Sequence, residues 1–368
     1  MASGKTHTGI GLVEKGVLGQ VELPTRSPGP DEVLLKVDYA ALSAADGHAI
    51  DDNFYVLGFP SLVGLGAAGK VVGVGSNVDW IKEGDAVAAF TQPGFDRATQ
   101  QYVVAPSSRI CKIPSSISPA EVAGLIDNFV CGWHTISSSF GLPLPATIPP
   151  ESSLDAEATS SPVLVWGAGT GAGTYMVQAL RVAGYKTIIA TASPRSAPAI
   201  QSYGATHVFD YNDPEVVAKI KEAAGGKPIK YALNPVCTQA SLETISKIVD
   251  TPGSKVALLI PIKMGSLKSL SDGGAQLLID LPAEANPFAK GVDVVITRTF
   301  EWEANEQWKR SLLKDILPAL LSSGQVKPQE VRIINKESTL LERVKEGHRL
   351  MKNNELRGTK AVVDFNVA

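Results

Sequence analysis

Residues 163–173 read VLVWGAGTGAG, placing four glycines between a hydrophobic run and a segment that carries Met176, Val177 and Leu180. A strand that turns through glycine into a helix lets the backbone approach a pyrophosphate closely. The free amides and positive end of the helix then face the phosphates. Gly167, Gly169 and Ala172 satisfy a G-x-G-x-x-A spacing, with Thr170 and Gly171 inside it. The next hydrophobic run ends in TASPRS, residues 191–196. An NAD site closes this second strand with a carboxylate for the ribose hydroxyls. Here Ser193 and Arg195 stand instead, a hydroxyl and a guanidinium that suit a 2′-phosphate. Tyr211, after a third hydrophobic run, is either a further contact at this edge or a packed aromatic. These residues predict an NADPH site.

Other chemistries lack their residues. The five histidines, His7, His48, His134, His207 and His348, form no His-x-x-x-His pair and none sits beside a cysteine at ligand spacing. Cys111, Cys131 and Cys237 are too few and too far apart for a zinc knuckle or a disulfide framework, and reduced, buried thiols are expected. No metal site is expected. No Tyr-x-x-x-Lys pair follows the dinucleotide strands, and no G-x-S-x-G elbow or Walker loop occurs. Hydride delivery to an activated carbon–carbon double bond needs positioning, a place for enolate charge and a proton source, but no metal. A net charge of −3 argues against a general nucleic-acid binder. No apolar stretch is long enough to span a bilayer and no secretory segment is visible, so a cytoplasmic protein is expected.

These residues need elements to hold them. Runs such as EVLLKVDY (32–39), GKVVGV (69–74), DAVAAF (85–90) and QYVVA (101–105) are short strands between turn signals and predict a β-rich domain. After the Pro-rich stretch from Pro143 to Pro162 the rhythm changes. Strands at 163–166, 187–190, 207–210, 231–233 and 255–260 alternate with helices, which predicts a doubly wound parallel sheet. Residues 265–287 are Gly- and Pro-marked and carry no clear assignment, and a single helix is expected over Trp308 to Leu321.

Several segments together resemble the medium-chain dehydrogenase/reductase superfamily: PGPDEVLLKVDYAALSAAD at 28–46, GLGAAGKVVGVGSNVDWIKEGDAV at 64–87, YGATHVFDYND at 203–213, KYALNPV at 230–236 and LRGTKAVVDF at 356–365. Within it, TASPRS, HVFDY, GLPLP at 141–145 and the closing sequence resemble the fungal trans-acting enoyl reductases that serve polyketide synthases. Zinc-dependent members place a cysteine near residue 43 and Gly-His-Glu near residue 64, where this chain has Ser43 and Gly64-Leu65-Gly66.

The resemblance implies an α/β protein: a Rossmann-type doubly wound parallel sheet plus a β-rich GroES-like catalytic domain. It implies catalytic segments at 1–128 and 302–368 and an NADPH-binding domain at 129–301. It further implies reduction of α,β-unsaturated polyketide thioesters carried on the acyl carrier domain of a synthase, by a monomer or homodimer. Zinc-free quinone and enone reductases of free small molecules share most of these features. A non-catalytic NADPH-binding partner of a synthase is the third reading. Related enoyl reductases carry Asn-Pro-x-Asp-Trp-Lys where this chain has SAADGH at 43–48. Asp46 is kept and His48 replaces the lysine. His48 is a candidate proton donor, a cofactor contact or a structural histidine. Phe129, Trp133 and His134 are candidates to line the substrate cleft or to pack ordinarily.

Overall fold

The computed structural model describes residues 5–92, 96–150, 154–265 and 275–366. Two parts of the sequence-level reading, the stretch from Pro143 to Pro162 and the run 265–287, contain residues 151–153 and 266–274, which lie outside the described set. The chain forms two compact units. One comprises Met1–Asp127, Glu306–Gly324 and Pro328–Ala368, the other Asn128–Asn305 and Gln325–Lys327.

The second unit is built on a six-stranded sheet. In chain order its strands are Val163–Trp166, Ile188–Thr191, His207–Phe209, Tyr231–Asn234, Lys255–Leu259 and Asp293–Thr297. Their spatial order is third, second, first, fourth, fifth, sixth, and every neighbouring pair is parallel. The doubly wound sheet expected from the alternation is present. Its order reverses between the first and fourth strands, and ligands of such sheets bind in the crevice at that switch point, beyond the carboxyl ends of the strands. Strand residues here are apolar on both faces because helices cover both: Leu164, Ile189, Ala232 and Val256 in one row and Val165, Ala190, Leu233 and Ala257 in the alternate row are fully buried.

The first unit carries a seven-stranded sheet and a three-stranded one, the β-rich domain the short strands predicted. Glu32–Ala41 is central, pairing antiparallel with Gly66–Val74, Tyr102–Pro106 and the C-terminal strand Lys360–Asp364. Ile10, Leu35, Val37, Val87, Val103 and Val363 belong to one apolar core.

The helix expected over 308–321 is interrupted. Glu306–Ser311 and Leu317–Ser322 are α-helical, and between them Leu312–Ile316 widens into a π turn. Pro318 has no N–H to offer the carbonyl of Lys314, and its ring crowds that carbonyl, so the preceding turn opens. The unassigned region contributes the strand Ala275–Leu278, which pairs antiparallel with Ile262–Gly265. No helix among the described residues is long and apolar enough to cross a membrane.

Candidate functional site

The glycine turn leaves the first strand of the parallel sheet and enters the helix Gly171–Val182. Gly167 takes φ +83°, and a Cβ there would meet Val236 Cγ2 at 2.2 Å. Only glycine fits both conditions. Its N–H donates to Thr191 Oγ1 at 2.9 Å, tying the turn to the second strand. Thr170 caps the helix: its Oγ1 accepts from Gly173 N at 3.1 Å and donates to Gly167 O at 2.9 Å. Such a cap contributes about 1 kcal/mol. A Cβ on Gly171 would meet Asn128 Oδ1 at 2.7 Å, so the first helical turn stays bare. Gly169, Thr170 and Gly171 are half-buried, whereas Ala172 is buried behind them. Amides of a first helical turn have no partner within the helix. A bare, amide-rich turn at the positive end of a twelve-residue helix fits the phosphates of a dinucleotide.

The second and third strands end beside the first. Thr191 is in register with both Trp166 and Phe209. The segments carrying Gly167–Ala172, Ser193–Arg195 and Tyr211 therefore leave one edge of the sheet side by side. Ser193 Oγ donates to Ser196 Oγ at 3.2 Å, a second hydroxyl that the sequence reading passed over. Arg195 is exposed and makes no ion pair among the described residues. Tyr211 is 46 % exposed, so its ring is not core packing. The dinucleotide candidates thus share one edge of one unit.

The loop after the fourth strand completes the switch point. Asn234 is fully buried, and its Oδ1 accepts from Val236 N at 3.2 Å and Cys237 N at 3.0 Å. Burial pushes the Cys237 thiol up to about 12, so it is uncharged at neutral pH. Lys263 follows the fifth strand and donates from Nζ to Val236 O at 2.8 Å. The sequence signal was the run KYALNPV, which marks the strand end but not the lysine that reaches it.

The helix Pro119–His134 carries the aromatic candidates. Phe129 and Trp133 have ring centroids 5.4 Å apart, and Phe129 meets Tyr175 edge-on at 6.5 Å. Both are buried. Burial pushes His134 down to about 4, against a hydrogen bond with the Arg298 backbone that partly offsets it. His134 is therefore a neutral imidazole at pH 7, and its buried Nδ1 has no partner among the described residues.

In the other unit, the segment 43–48 is organised by Asp46. Its Oδ2 accepts from Ser43 N at 2.7 Å and Ser43 Oγ at 3.0 Å, and its Oδ1 accepts from Gly64 N at 2.9 Å and Arg97 Nη1 at 2.6 Å. One carboxylate thus pins the loops that bear Ser43 and Leu65, the positions where the resemblance places metal ligands in zinc-dependent relatives. Arg97 was not singled out in the sequence. Among the described residues, no group of three or more His, Cys, Asp or Glu side chains is placed to hold a metal ion. His48, two residues on from Asp46 in the helix Ala44–Asp52, is 4 % exposed. Its Nδ1 lies 3.4 Å from Asp52 Oδ2, which orients the ring.

Comparison with known proteins adds the family. Residues 29–115 match the alcohol dehydrogenase GroES-like domain and residues 171–261 the zinc-binding dehydrogenase family. The chain is 27 % identical to the trans-enoyl reductase buaC of Petromyces alliaceus over 94 % of this chain and 93 % of that one. It is 34 % identical to the trans-enoyl reductase TwmE of Talaromyces wortmannii over 66 % and 67 % of the two chains. With the trans-enoyl reductase tndF of Aspergillus flavipes the figures are 30 %, 71 % and 75 %. Among solved structures, the CurK enoyl reductase shares the fold with a TM-score of 0.73 at 19 % identity, covering 98 % of this chain and 99 % of that one. Escherichia coli quinone oxidoreductase complexed with NADPH does so with a TM-score of 0.69 at 17 % identity, covering 98 % and 100 %. The chain is an oxidoreductase and belongs to the trans-enoyl reductases, a zinc-independent branch of the medium-chain dehydrogenase/reductase superfamily.

Proposed function

We propose that the protein uses NADPH to reduce the α,β-double bond of a polyketide thioester presented by the acyl carrier domain of a synthase. The observation that carries the cofactor choice is the edge at 191–196, where Ser193 and Arg195 stand and no carboxylate closes the second strand. The trans-enoyl reductase names of the relatives support the substrate class.

When bound, NADPH supplies the hydride for the β-carbon. Gly167, Gly169, Thr170, Gly171 and Ala172 form the turn that would hold its pyrophosphate, through the helix end and the amides of the first helical turn that Thr170 does not cap. Ser193 and Arg195 hold the 2′-phosphate, and Tyr211 borders the same edge. His48 is the proposed proton source for the α-carbon. Asp52 lies against Nδ1 and orients the imidazole, a group that exchanges a proton near neutral pH.

The test is NADPH oxidation with one unsaturated acyl chain offered three ways: on a carrier domain, on free pantetheine and as a simple enone. Turnover greatest on the carrier, and greater with NADPH than with NADH, is the expected result. Activity with enones alone would make the protein a free-standing enone reductase. Tight NADPH binding without oxidation of any substrate would make it a cofactor-binding partner.

A further inference from the structure

We infer that Lys263 is an additional cofactor-binding residue, its ammonium serving the pyrophosphate of the dinucleotide from the far side of the switch point. This rests on the dinucleotide reading of the edge above, but not on its preference for NADPH.

The placement is fixed from two directions. Lys263 N donates to Cys237 O at 2.7 Å, and Lys263 Nζ donates to Val236 O at 2.8 Å. Val236 is the residue whose side chain fills the space a Cβ on Gly167 would take. The ammonium is therefore one residue removed from the glycine turn, across the gap between the first and fourth strands. That gap is where doubly wound sheets bind their ligands.

The charge balance points to an anion from outside the chain. A part-buried ammonium is stable when a carboxylate or another anion compensates it. Lys263 makes no ion pair among the described residues. Cys237, the titratable group beside it, is held as the neutral thiol and supplies no negative charge. Burial accordingly pushes the lysine below its ordinary value. Val236 O satisfies one of its three N–H donors. No other acceptor among the described residues takes a bond from Nζ, which leaves two of its donors for a ligand. A pyrophosphate at the Gly167 turn supplies the missing negative charge, and a point-like ammonium suits it.

The variants Lys263→Met and Lys263→Arg test this by equilibrium binding of NADPH, NADH and adenosine 2′-monophosphate. The last has the 2′-phosphate but no pyrophosphate. Lys263→Met is expected to weaken NADPH and NADH alike, by about tenfold or more, while adenosine 2′-monophosphate stays within about twofold. Lys263→Arg is expected to restore most of the loss. Equal losses for all three ligands would mean that the lysine only supports the loop, and unchanged binding of NADPH would overturn the inference outright. If Lys263→Met does not fold, the side-chain ε-methylene signal of Lys263 can be titrated in the wild-type protein. NADPH must raise its midpoint, and an unmoved midpoint overturns the inference. A wild-type protein that prefers NADH would defeat the NADPH reading while leaving the lysine prediction standing, since both cofactors carry the pyrophosphate.

Discussion

Asp46 is fully buried and accepts hydrogen bonds from Ser43, Gly64 and Arg97, while Arg195 stands exposed at the sheet edge of the other unit with no acidic partner. The same contrast runs through their surroundings. Around Asp46 the segments of Ser43, Gly64 and Arg97 are tied by its carboxylate, and the guanidinium that balances it is itself 5 % exposed. Around the glycine turn Thr170 caps the Gly173 amide, the Gly171 and Ala172 amides make no hydrogen bond among the described residues, and the cations Arg195 and Lys263 make no ion pair among the described residues. One region spends its polar groups on holding its own shape. The other leaves Arg195 and Lys263 without a carboxylate among the described residues, as the proposed anion site requires. The difference predicts that substitutions in the first act on stability and in the second on affinity.

The largest effect is expected at the closed region. Asp46→Asn keeps the shape of the side chain but leaves Arg97 buried without its counter-charge. Its Nε already lacks a hydrogen bond among the described residues. Breaking one partner of a buried pair costs about 3–5 kcal/mol. Urea unfolding should show that loss, while the NADPH dissociation constant of the folded variant stays within about twofold. A loss below about 1 kcal/mol would mean that the loops hold without the pair, and a large affinity loss in the folded variant would erase the contrast between the regions.

Gly167→Ala probes the open region where shape and binding meet. A left-handed φ costs a non-glycine residue about 1–2 kcal/mol, and forcing a methyl against Val236 adds about 1–3 kcal/mol. The turn must shift to relieve the clash, so NADPH affinity should fall by more than about tenfold even where the protein remains folded. Isothermal titration of the folded variant checks this. Wild-type affinity would show that the turn tolerates the shift and that its amides are not the phosphate cradle.

The two regions were also unequally legible. The glycine turn could be read because everything that defines it is local: a hydrophobic strand, the spacing of Gly167, Gly169 and Ala172, and an apolar helix follow within one stretch of chain. The alternation of strands and helices likewise gave the parallel sheet. The Asp46–Arg97 pair joins residues 51 positions apart, and Lys263 reaches Val236 across 27, so no local pattern announces either. The pairing of Lys360–Asp364 with Glu32–Ala41 is non-local in the same way. The π turn at Leu312–Ile316 had a local sign, Pro318, but the apolar periodicity on both sides of it favoured one continuous helix. Phe129 and Trp133 are buried with their rings against one another, a placement that composition does not reveal.

The smallest effect expected, and the most selective, is at Arg195. TASPRS leaves the second strand in register with the glycine turn, and Arg195 is exposed there with Ser193 and Ser196 beside it. Charge-assisted hydrogen bonds to a 2′-phosphate contribute about 1.5–3 kcal/mol when well formed. Exposure and salt pull the value toward the lower end. Arg195→Ala should therefore weaken NADPH about tenfold, since about 1.4 kcal/mol corresponds to that factor. NADH lacks the phosphate and should bind nearly as before, as should the maximal rate at saturating NADPH, because the 2′-phosphate takes no part in hydride transfer. Unlike a change at Asp46, this one should leave the urea midpoint unchanged, and unlike a change at Lys263 it should separate the two cofactors. The measurement is the dissociation constant of each cofactor with each protein at two ionic strengths. The NADPH advantage should shrink as salt rises in the wild type and be small at both strengths in the variant. Equal losses for NADPH and NADH would assign Arg195 to supporting its loop. A wild-type protein that already binds NADH as tightly as NADPH would remove the 2′-phosphate from the edge altogether, and leave the pyrophosphate at the glycine turn as the anion the open region serves.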